Sequence, residues 1–425
     1  MRVTMPWGMW HGPQELELDL PDRWDVRLCA MAGAPALGDE AIAASVDAPI
    51  GGPPLEELAR GRKSCCILVD DVTRPTPAGR ILPRVLERLA AAGLDRRRIF
   101  LITANGTHRT QTGADLARKL GPAVCAEFAV MRHDPYQNLV LVDGEDGVDS
   151  GIQLNAFFHE ADLKLAVTGV MPHFMCGYSG GAKIVMPAVC GMETIAATHA
   201  HTVEGPPAQV GVVEGNAMRE MMEACAARAG LAWAANGVFN ERGELCGLFC
   251  GDVRAAHRAA VARARQVNAV EAPYGSDVAV FNAFPKDTEF IQAMAALNVW
   301  ADRREPARAL VRPGGSIVVV CACPDGLGAH GLIEYGRRQF VRRDRHGSFR
   351  DVLGGRELLF LAPNVSAATV ELYYGPAARV FGDWASLRAA LEGLHPGGAS
   401  VAVFPASALA VDSGFLRQAV RNAER

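Results

Sequence analysis

The sequence predicts an α/β fold: two α/β domains with mixed or parallel sheets and an active-site cleft between them. Residues 65–69 form a continuous apolar run that ends in two aspartates, which is typical of a buried parallel strand. A helical pattern and a second apolar run at 99–103 follow, so this stretch predicts a βαβ unit. A turn cluster at 272–275 then precedes a second series of apolar runs, which predicts a domain boundary there.

The predicted N-terminal domain covers residues 1–272 and begins with short strands at 16–20 and 25–28. A helix at 55–62 leads to the strand at 65–69. The next helix carries Ile81, Val85 and Leu89 on one face and ends at Gly93. The remaining elements predicted in this domain are helices at 114–120, 191–201, 218–229 and 253–267, and strands at 99–103, 128–131 and 163–167.

The predicted C-terminal domain covers residues 273–425 and repeats the alternation of strands and helices. Its predicted elements are strands at 277–281, 316–320, 358–361 and 400–404, and a helix at 385–391. Open α/β sheets bind ligands beyond the carboxyl ends of their strands. In the N-terminal domain, Asp71, Arg74 and His108 follow such strand ends, so we expect them on the same edge.

Composition limits the protein class. The 425 residues suffice for two or three domains, and no apolar run reaches the ~20 residues that a membrane span needs. The amino terminus lacks the pattern of a signal peptide, and a net charge of −4 with interspersed signs argues against nucleic acid as the main partner. The eleven cysteines are scattered. We therefore expect reduced thiols in a cytoplasmic protein that binds neither membrane nor nucleic acid.

Residues 168–201 are the richest in chemically active side chains. Lys183 follows a cluster of small residues at 179–182, where glycine lets the backbone approach a ligand closely. The phosphate-binding pattern GxxxxGK[ST] does not fit, because Ile184 follows the lysine. A lysine among apolar neighbours is more easily held neutral, and the neutral amine is the reactive form. From position alone, a phosphate contact or a surface charge remains an alternative.

Three segments together resemble the signature of the nickel-dependent lactate racemase family. They are PHFMCGYSGGAKIVMPAVCGMETIAATHAH at 172–201, DVTRP at 71–75 and GTHRT at 106–110. All three occur in the family's order and at its approximate spacing. The resemblance implies a racemase or epimerase of a 2-hydroxy acid, with residues 1–272 as the cofactor-binding catalytic domain.

The implied reaction is a reversible hydride transfer to a covalently held nickel-pincer nucleotide, pyridinium-3,5-bisthiocarboxylic acid mononucleotide nickel. No protein side chain accepts hydride, so a cofactor must, and separate enzymes synthesise this one. Inversion also needs a base reachable from either face of the substrate. His108 and His173 match the family's acid–base pair, and an unperturbed pKa near ~6.5 suits that role. From position alone, a structural hydrogen-bonding role is favoured for each histidine.

The resemblance also implies the cofactor contacts. Lys183 matches the lysine that joins the nucleotide through a thioamide, and His199 matches the nickel ligand. His201 is a weaker candidate, because in a helix it points away from His199. The other implied contacts are Asp71, Thr73 and Arg74 near cofactor and substrate, with Arg74 also positioned for the substrate carboxylate, and Ser179 and Gly180 at the nucleotide.

One segment departs from the family pattern. Gln292 matches a substrate-contacting glutamine, but the lactate enzyme has an aromatic residue just before it and a lysine three residues after it. Here those places hold Ile291 and Ala295. The missing lysine removes a cation and opens space. We therefore expect a substrate-binding site for a 2-hydroxy acid larger than lactate, such as a sugar acid or one with a longer side chain.

Two other classes of function compete with this interpretation. A nicotinamide oxidoreductase is disfavoured, because no GxGxxG follows the early strands. A non-catalytic nucleotide or sugar-acid binding protein would leave His108 and His173 idle. Full ligand affinity after loss of both histidines would favour that class.

Overall fold

The computed structural model describes residues 1–12, 14–142, 151–204, 210–293, 295–298, 310–332 and 353–417. Within these ranges the chain forms two six-stranded sheets. The first sheet has, in spatial order, strands Leu245–Gly251, Trp233–Phe239, Leu163–Gly169, Cys65–Asp70, Ile99–Ala104 and Ala129–Arg132. Its strands are parallel except at the Leu245–Gly251 edge, which is antiparallel. The first sheet is therefore mixed.

The second sheet is parallel throughout. Its strands, in spatial order, are Ala378–Phe381, Glu357–Leu361, Val311–Val320, Ser276–Asn282, Ser400–Phe404 and Asp25–Leu28. Four two-stranded pairs complete the strands: Arg2–Trp7 with Gln14–Asp19, Leu139–Val142 with Ile152–Asn155, Pro172–His173 with Gly177–Tyr178, and Ala269–Val270 with Val411–Asp412. The predicted α/β class with mixed or parallel sheets is confirmed.

Helices connect the strands and cover the sheets. The described α-helices are Asp39–Asp47, Leu55–Ala59, Ala78–Ala91, Gly113–Leu120, Pro122–Glu127, Ala156–Glu160, Met192–Glu204, Ala217–Arg228, Val253–Val267, Phe290–Ala293, Ala295–Asn298, Ala367–Tyr374 and Trp384–Leu394, with 3₁₀ turns at Arg96–Arg98 and Gly181–Ile184. Ile81, Val85 and Leu89 are buried as their spacing predicts. No helix in the described ranges is long and apolar enough to cross a membrane. All eleven cysteines are free thiols, buried except for the half-buried Cys125.

The first residues of the chain lie on the second sheet. Strand Asp25–Leu28 pairs in parallel with Ser400–Phe404 at one edge. The backbone N–H groups of Gly8 and Met9 also donate to the Asp287 carboxylate, at 2.7 and 3.1 Å. The sheet formed mainly by residues after 272 thus includes a strand from the start of the chain. The domain division at 272 stays a prediction.

A single arginine links loops at the carboxyl ends of both sheets. Arg109 follows strand Ile99–Ala104 of the first sheet and donates to Asp115 at 2.7 Å. It also donates to Glu289 at 2.5 Å and to Asp325 at 2.7 Å, both of which follow strands of the second sheet. The loops of the two sheets therefore meet on one side of the molecule, where the candidate site lies.

Candidate active site

A cavity of about 370 Å³ lies where the loops of the two sheets meet. Every predicted site residue except Thr73 lines it: Asp71, Arg74, His108, His173, Ser179, Gly180, Lys183, His199, Gln292 and Ala295. Thr73 is buried directly beneath and bonds to Asp71. Residues from the first and the second sheet share this lining, because the carboxyl ends of their strands face the same space. The sequence segments that carry the resemblance are thus brought together.

His108 is held by a buried carboxylate. Its Nδ1 lies 2.6 Å from Asp71 Oδ2. Burial works to raise the pKa of Asp71, but His108, Arg74 and Thr73 outweigh it and hold that pKa well below its usual range. An ionised carboxylate only accepts hydrogen bonds, so Nδ1 carries the proton and the lone pair is on Nε2. Burial also lowers the pKa of His108, against the opposing effect of Asp71, which favours a neutral ring at pH 7.

His173 is held in the opposite tautomer. Its Nδ1 accepts hydrogen bonds from the backbone N–H groups of Met175 at 3.2 Å and Cys176 at 3.4 Å. In the neutral ring the proton is therefore on Nε2. Burial, with the nearby charges of Lys183 and Lys286, lowers the pKa of His173 well below its ordinary value. One histidine of the pair thus offers a lone pair at Nε2, while the other offers an N–H.

Lys183 is a buried amine in the 3₁₀ turn Gly181–Ile184. Burial, aided by the charges of Arg74 and Arg219, lowers its pKa to about 8. At pH 7 roughly a tenth of such an amine is neutral, compared with less than about a thousandth for an ordinary lysine. This environment suits a lysine that attacks an acyl carbon.

The backbone before Lys183 is fixed by glycine and by two buried side chains. Gly180 has φ +83°, and a Cβ there would lie 2.6 Å from Val170 Cγ2. A larger residue is therefore excluded by conformation and by space. Gly180 O accepts from Arg219 Nη1 at 3.1 Å, and Gly181 N donates to Asn236 Oδ1 at 2.8 Å. The bare backbone at this turn lines the cavity beside Lys183.

The hydroxyl group of Ser179 forms hydrogen bonds within the protein. Its Oγ donates to Gly169 O at 2.7 Å and accepts from Met171 N at 2.9 Å. The serine therefore fastens the Lys183 turn to the end of strand Leu163–Gly169. Its hydroxyl proton is already engaged, and the contact with a nucleotide stays a prediction.

His199 presents one nitrogen suited to a metal. Its Nδ1 donates to Ile195 O at 2.7 Å, which fixes the lone pair on Nε2. Burial lowers the pKa of His199 to about 4, so the ring is neutral, as metal ligation requires. Among the described residues, no group of three or more His, Cys, Asp or Glu side chains could hold a metal ion. The side chain of His201 lies outside the described residues.

Residues that follow strands of the second sheet also line the cavity. Gln292, in the short helix Phe290–Ala293, is buried, and its Nε2 has no hydrogen-bond partner. Ala295 and Ile291 lie beside it in the lining. This orphaned amide donor therefore belongs to a residue of the cavity lining whose hydrogen-bonding capacity the described protein does not satisfy.

The lining also contains polar residues that the sequence did not assign to the site, among them Asn105, Lys286 and His330. Asn105 Oδ1 is buried without a partner and directly follows strand Ile99–Ala104, so its position at a strand end was an available signal. The ring of His330 packs edge-on against that of His108, with centroids 5.1 Å apart. No sequence pattern indicates His330, because only the meeting of the two sheets brings it near His108.

The chain is similar to known lactate racemases. The family model "Lactate racemase N-terminal domain" matches residues 11–211. The chain is 31% identical over 297 residues to a lactate racemase of Lactiplantibacillus plantarum, covering 69% of this chain and 68% of that protein. It is 27% identical over 333 residues to a lactate racemase of Thermoanaerobacterium thermosaccharolyticum, covering 76% of each.

Solved structures share the fold. The lactate racemase apoprotein from Thermoanaerobacterium thermosaccharolyticum superposes with a TM-score of 0.76 at 22% identity, covering 97% of this chain and 100% of that one. A protein from Thermotoga maritima superposes with a TM-score of 0.63 at 16% identity, covering 89% and 98%. With the match at 31% identity, these findings confirm the resemblance seen in the three segments: the chain belongs to the lactate racemase family.

Proposed function

We propose that this protein is a racemase or epimerase of a 2-hydroxy acid that works with a nickel-pincer nucleotide held on Lys183. The observation that carries the proposal is the convergence of His108, His173, Lys183 and His199 on one cavity. Two of these histidines hold opposite tautomers, which is the arrangement that proton exchange with a hydroxyl requires.

The residues present fit the cofactor. Lys183 supplies a buried amine with its pKa lowered to about 8. Gly180 leaves backbone uncovered beside it, and His199 carries its lone pair on Nε2. Imidazole nitrogen is a good nickel ligand. When bound, the cofactor supplies the acceptor for the hydrogen and electron pair of the substrate's α-carbon.

The two histidines perform the proton transfers. His108 takes the hydroxyl proton at Nε2, and the Asp71 carboxylate stabilises the imidazolium that results. His173 donates from Nε2 to the substrate oxygen on the opposite side. For His173 to accept a proton at Nε2, its ring proton must first move to Nδ1. The hydrogen bonds that Nδ1 accepts from Met175 N and Cys176 N, which are long, would then have to break. His108 is therefore the readier base in the ligand-free protein.

Arg74, which follows a strand of the first sheet, and Gln292, which follows a strand of the second, orient the substrate. Arg74 Nη1 bonds to Thr73 Oγ1 at 2.9 Å, which fixes the guanidinium while other N–H groups stay available for a carboxylate. Gln292 Nε2 offers donors that nothing in the described structure satisfies. Together they hold the acid in one orientation while its α-carbon inverts.

Ala295 sets the size of the substrate in this proposal, and a panel of 2-hydroxy acids tests it. Each buried methylene contributes about 0.8 kcal/mol, so longer acids should exceed lactate in kcat/KM. Ala295→Lys fills the space and adds a cation, which should raise the preference for lactate by roughly tenfold to a hundredfold. The measurement is a chiral separation of products from the holoprotein, with exposed Lys63→Ala as control. Lactate as the best substrate of the wild type would contradict the assignment of Ala295.

A further inference from the structure

Lys286 carries a buried amine that has no role in the fold or in the proposed mechanism. It follows strand Ser276–Asn282, is only 6% exposed and lines the cavity. Among the described residues its Nζ makes no hydrogen bond and no salt bridge. Burying an ammonium group without a partner is costly, so such a side chain is typical of a site that a ligand completes.

The charged groups around Lys286 are mainly positive, which favours binding of an anion. Burial and the charges of Arg74 and Lys183 lower the pKa of Lys286 well below its ordinary value, against the effect of Asp71. That single opposing carboxylate is already bonded to His108. An anion entering the cavity would therefore lie near Arg74 and Lys286, and also near Lys183 while that residue is unmodified. The anion would favour the charged form of Lys286.

We propose that Lys286 binds the carboxylate of the substrate and takes over the role of the lysine that position 295 lacks. This inference rests on the proposed function. Once Lys183 is acylated it loses its charge, and Arg74 and Lys286 remain as the cations of the lining. They follow strands of different sheets, so the carboxylate would be bound by residues of both sheets.

This placement defines the substrate class more narrowly. If Lys286 binds the carboxylate, the space beside Ala295 and Ile291 is left for the rest of the molecule. One substrate carboxylate then pairs with both Arg74 and Lys286. A second carboxylate on the same substrate would lie against the apolar side chains of Ala295 and Ile291. The site therefore favours 2-hydroxy monocarboxylic acids with a side chain longer than methyl.

The test measures binding of 2-hydroxyhexanoate, and of its uncharged primary amide, to the holoprotein by titration calorimetry. Lys286→Met keeps the apolar stem and removes the charge, whereas Lys286→Arg keeps a cation. We expect Lys286→Met to weaken binding of the acid by about 10- to 100-fold and to leave the amide unchanged. Lys286→Arg should recover most of the loss. Half-buried Lys164, on the first sheet and outside the cavity lining, provides the control Lys164→Met.

Intact mass and nickel content of each variant separate the possible outcomes. Unchanged affinity of Lys286→Met for the acid, or no binding of the acid by wild type, overturns the inference. Loss of nucleotide mass in Lys286→Met also overturns it, because Lys286 would then contact the cofactor. If the acid binds through Lys286 but its enantiomers do not interconvert, the proposed function fails while the Lys286 contact stands. Folding is checked by Tm, which should not fall, since methionine replaces a buried, unpaired amine with an apolar side chain.

Discussion

Replacing Lys183 with alanine is expected to abolish isomerase activity, nucleotide attachment and nickel retention together. The reason is that, in the proposed site, the nucleotide would be joined to this amine and would supply the nickel ligands other than His199. Activity should fall below detection, because no remaining side chain can accept the α-hydrogen with its electron pair. Intact mass, nickel content and turnover are measured on protein produced beside the cofactor-synthesis enzymes.

Two further variants make this test specific. Lys183→Arg keeps a cation but loses the nucleophilic amine, so it should behave like Lys183→Ala. His199→Ala should lose nickel preferentially and keep the nucleotide mass, because the covalent link is at Lys183. Lys164→Ala should keep all three properties. Full nickel loading in Lys183→Ala would show that the metal is held without the covalent link.

Removal of either histidine of the pair is expected to lower turnover by about 10²–10⁴-fold, the usual contribution of a general acid or base. His108→Ala leaves the buried Asp71 carboxylate without a partner, so His108→Asn is the better variant, since its amide can still donate to Asp71. His173→Ala completes the pair. Nucleotide mass and nickel content should not change in any of these proteins.

The matched control for the histidine pair is His159→Ala, because His159 is exposed in helix Ala156–Glu160. It should keep wild-type turnover. If both cavity variants also keep wild-type turnover with normal cofactor content, His108 and His173 are structural residues, and the acid–base assignment is wrong.

Local chemistry explains how much of the fold was predictable. Helix Val253–Val267 has the bounds that its pattern predicts, because Asp252 caps it by accepting from the N–H groups of Arg254 and Ala255. Strand Ser400–Phe404 likewise matches its apolar run. Such elements are determined by neighbours in sequence.

Pairing over long distances was not predictable. Strand Asp25–Leu28 has an ordinary strand pattern, but nothing in it indicates that its partner is Ser400–Phe404. Strand Trp233–Phe239 was missed because asparagine and glycine are depleted in strands. In this strand, Asn236 Oδ1 accepts a hydrogen bond from Gly181 N. That contact forms only once the Lys183 turn has folded against the sheet.

The candidate site divides in the same way. His108, His173, Lys183 and His199 could be predicted because they lie within short segments that a family signature covers. The tautomers of the histidines depend on Asp71 and on two backbone N–H groups, which only the fold brings within reach. The sequence assigned no role to Lys286, and its burial in the cavity follows from the meeting of the two sheets.

The central claim is tested most directly by incubating one enantiomer of 2-hydroxyhexanoate with the holoprotein in D₂O. Chiral chromatography follows the interconversion, and NMR reads the isotope at the α-carbon. We expect the opposite enantiomer to accumulate toward a 1:1 mixture and to keep protium at that carbon, because the α-hydrogen would return without exchange with solvent. Deuterium at the α-carbon would indicate a carbanion mechanism. Binding without any interconversion would contradict the assignment as an isomerase and favour a binding protein.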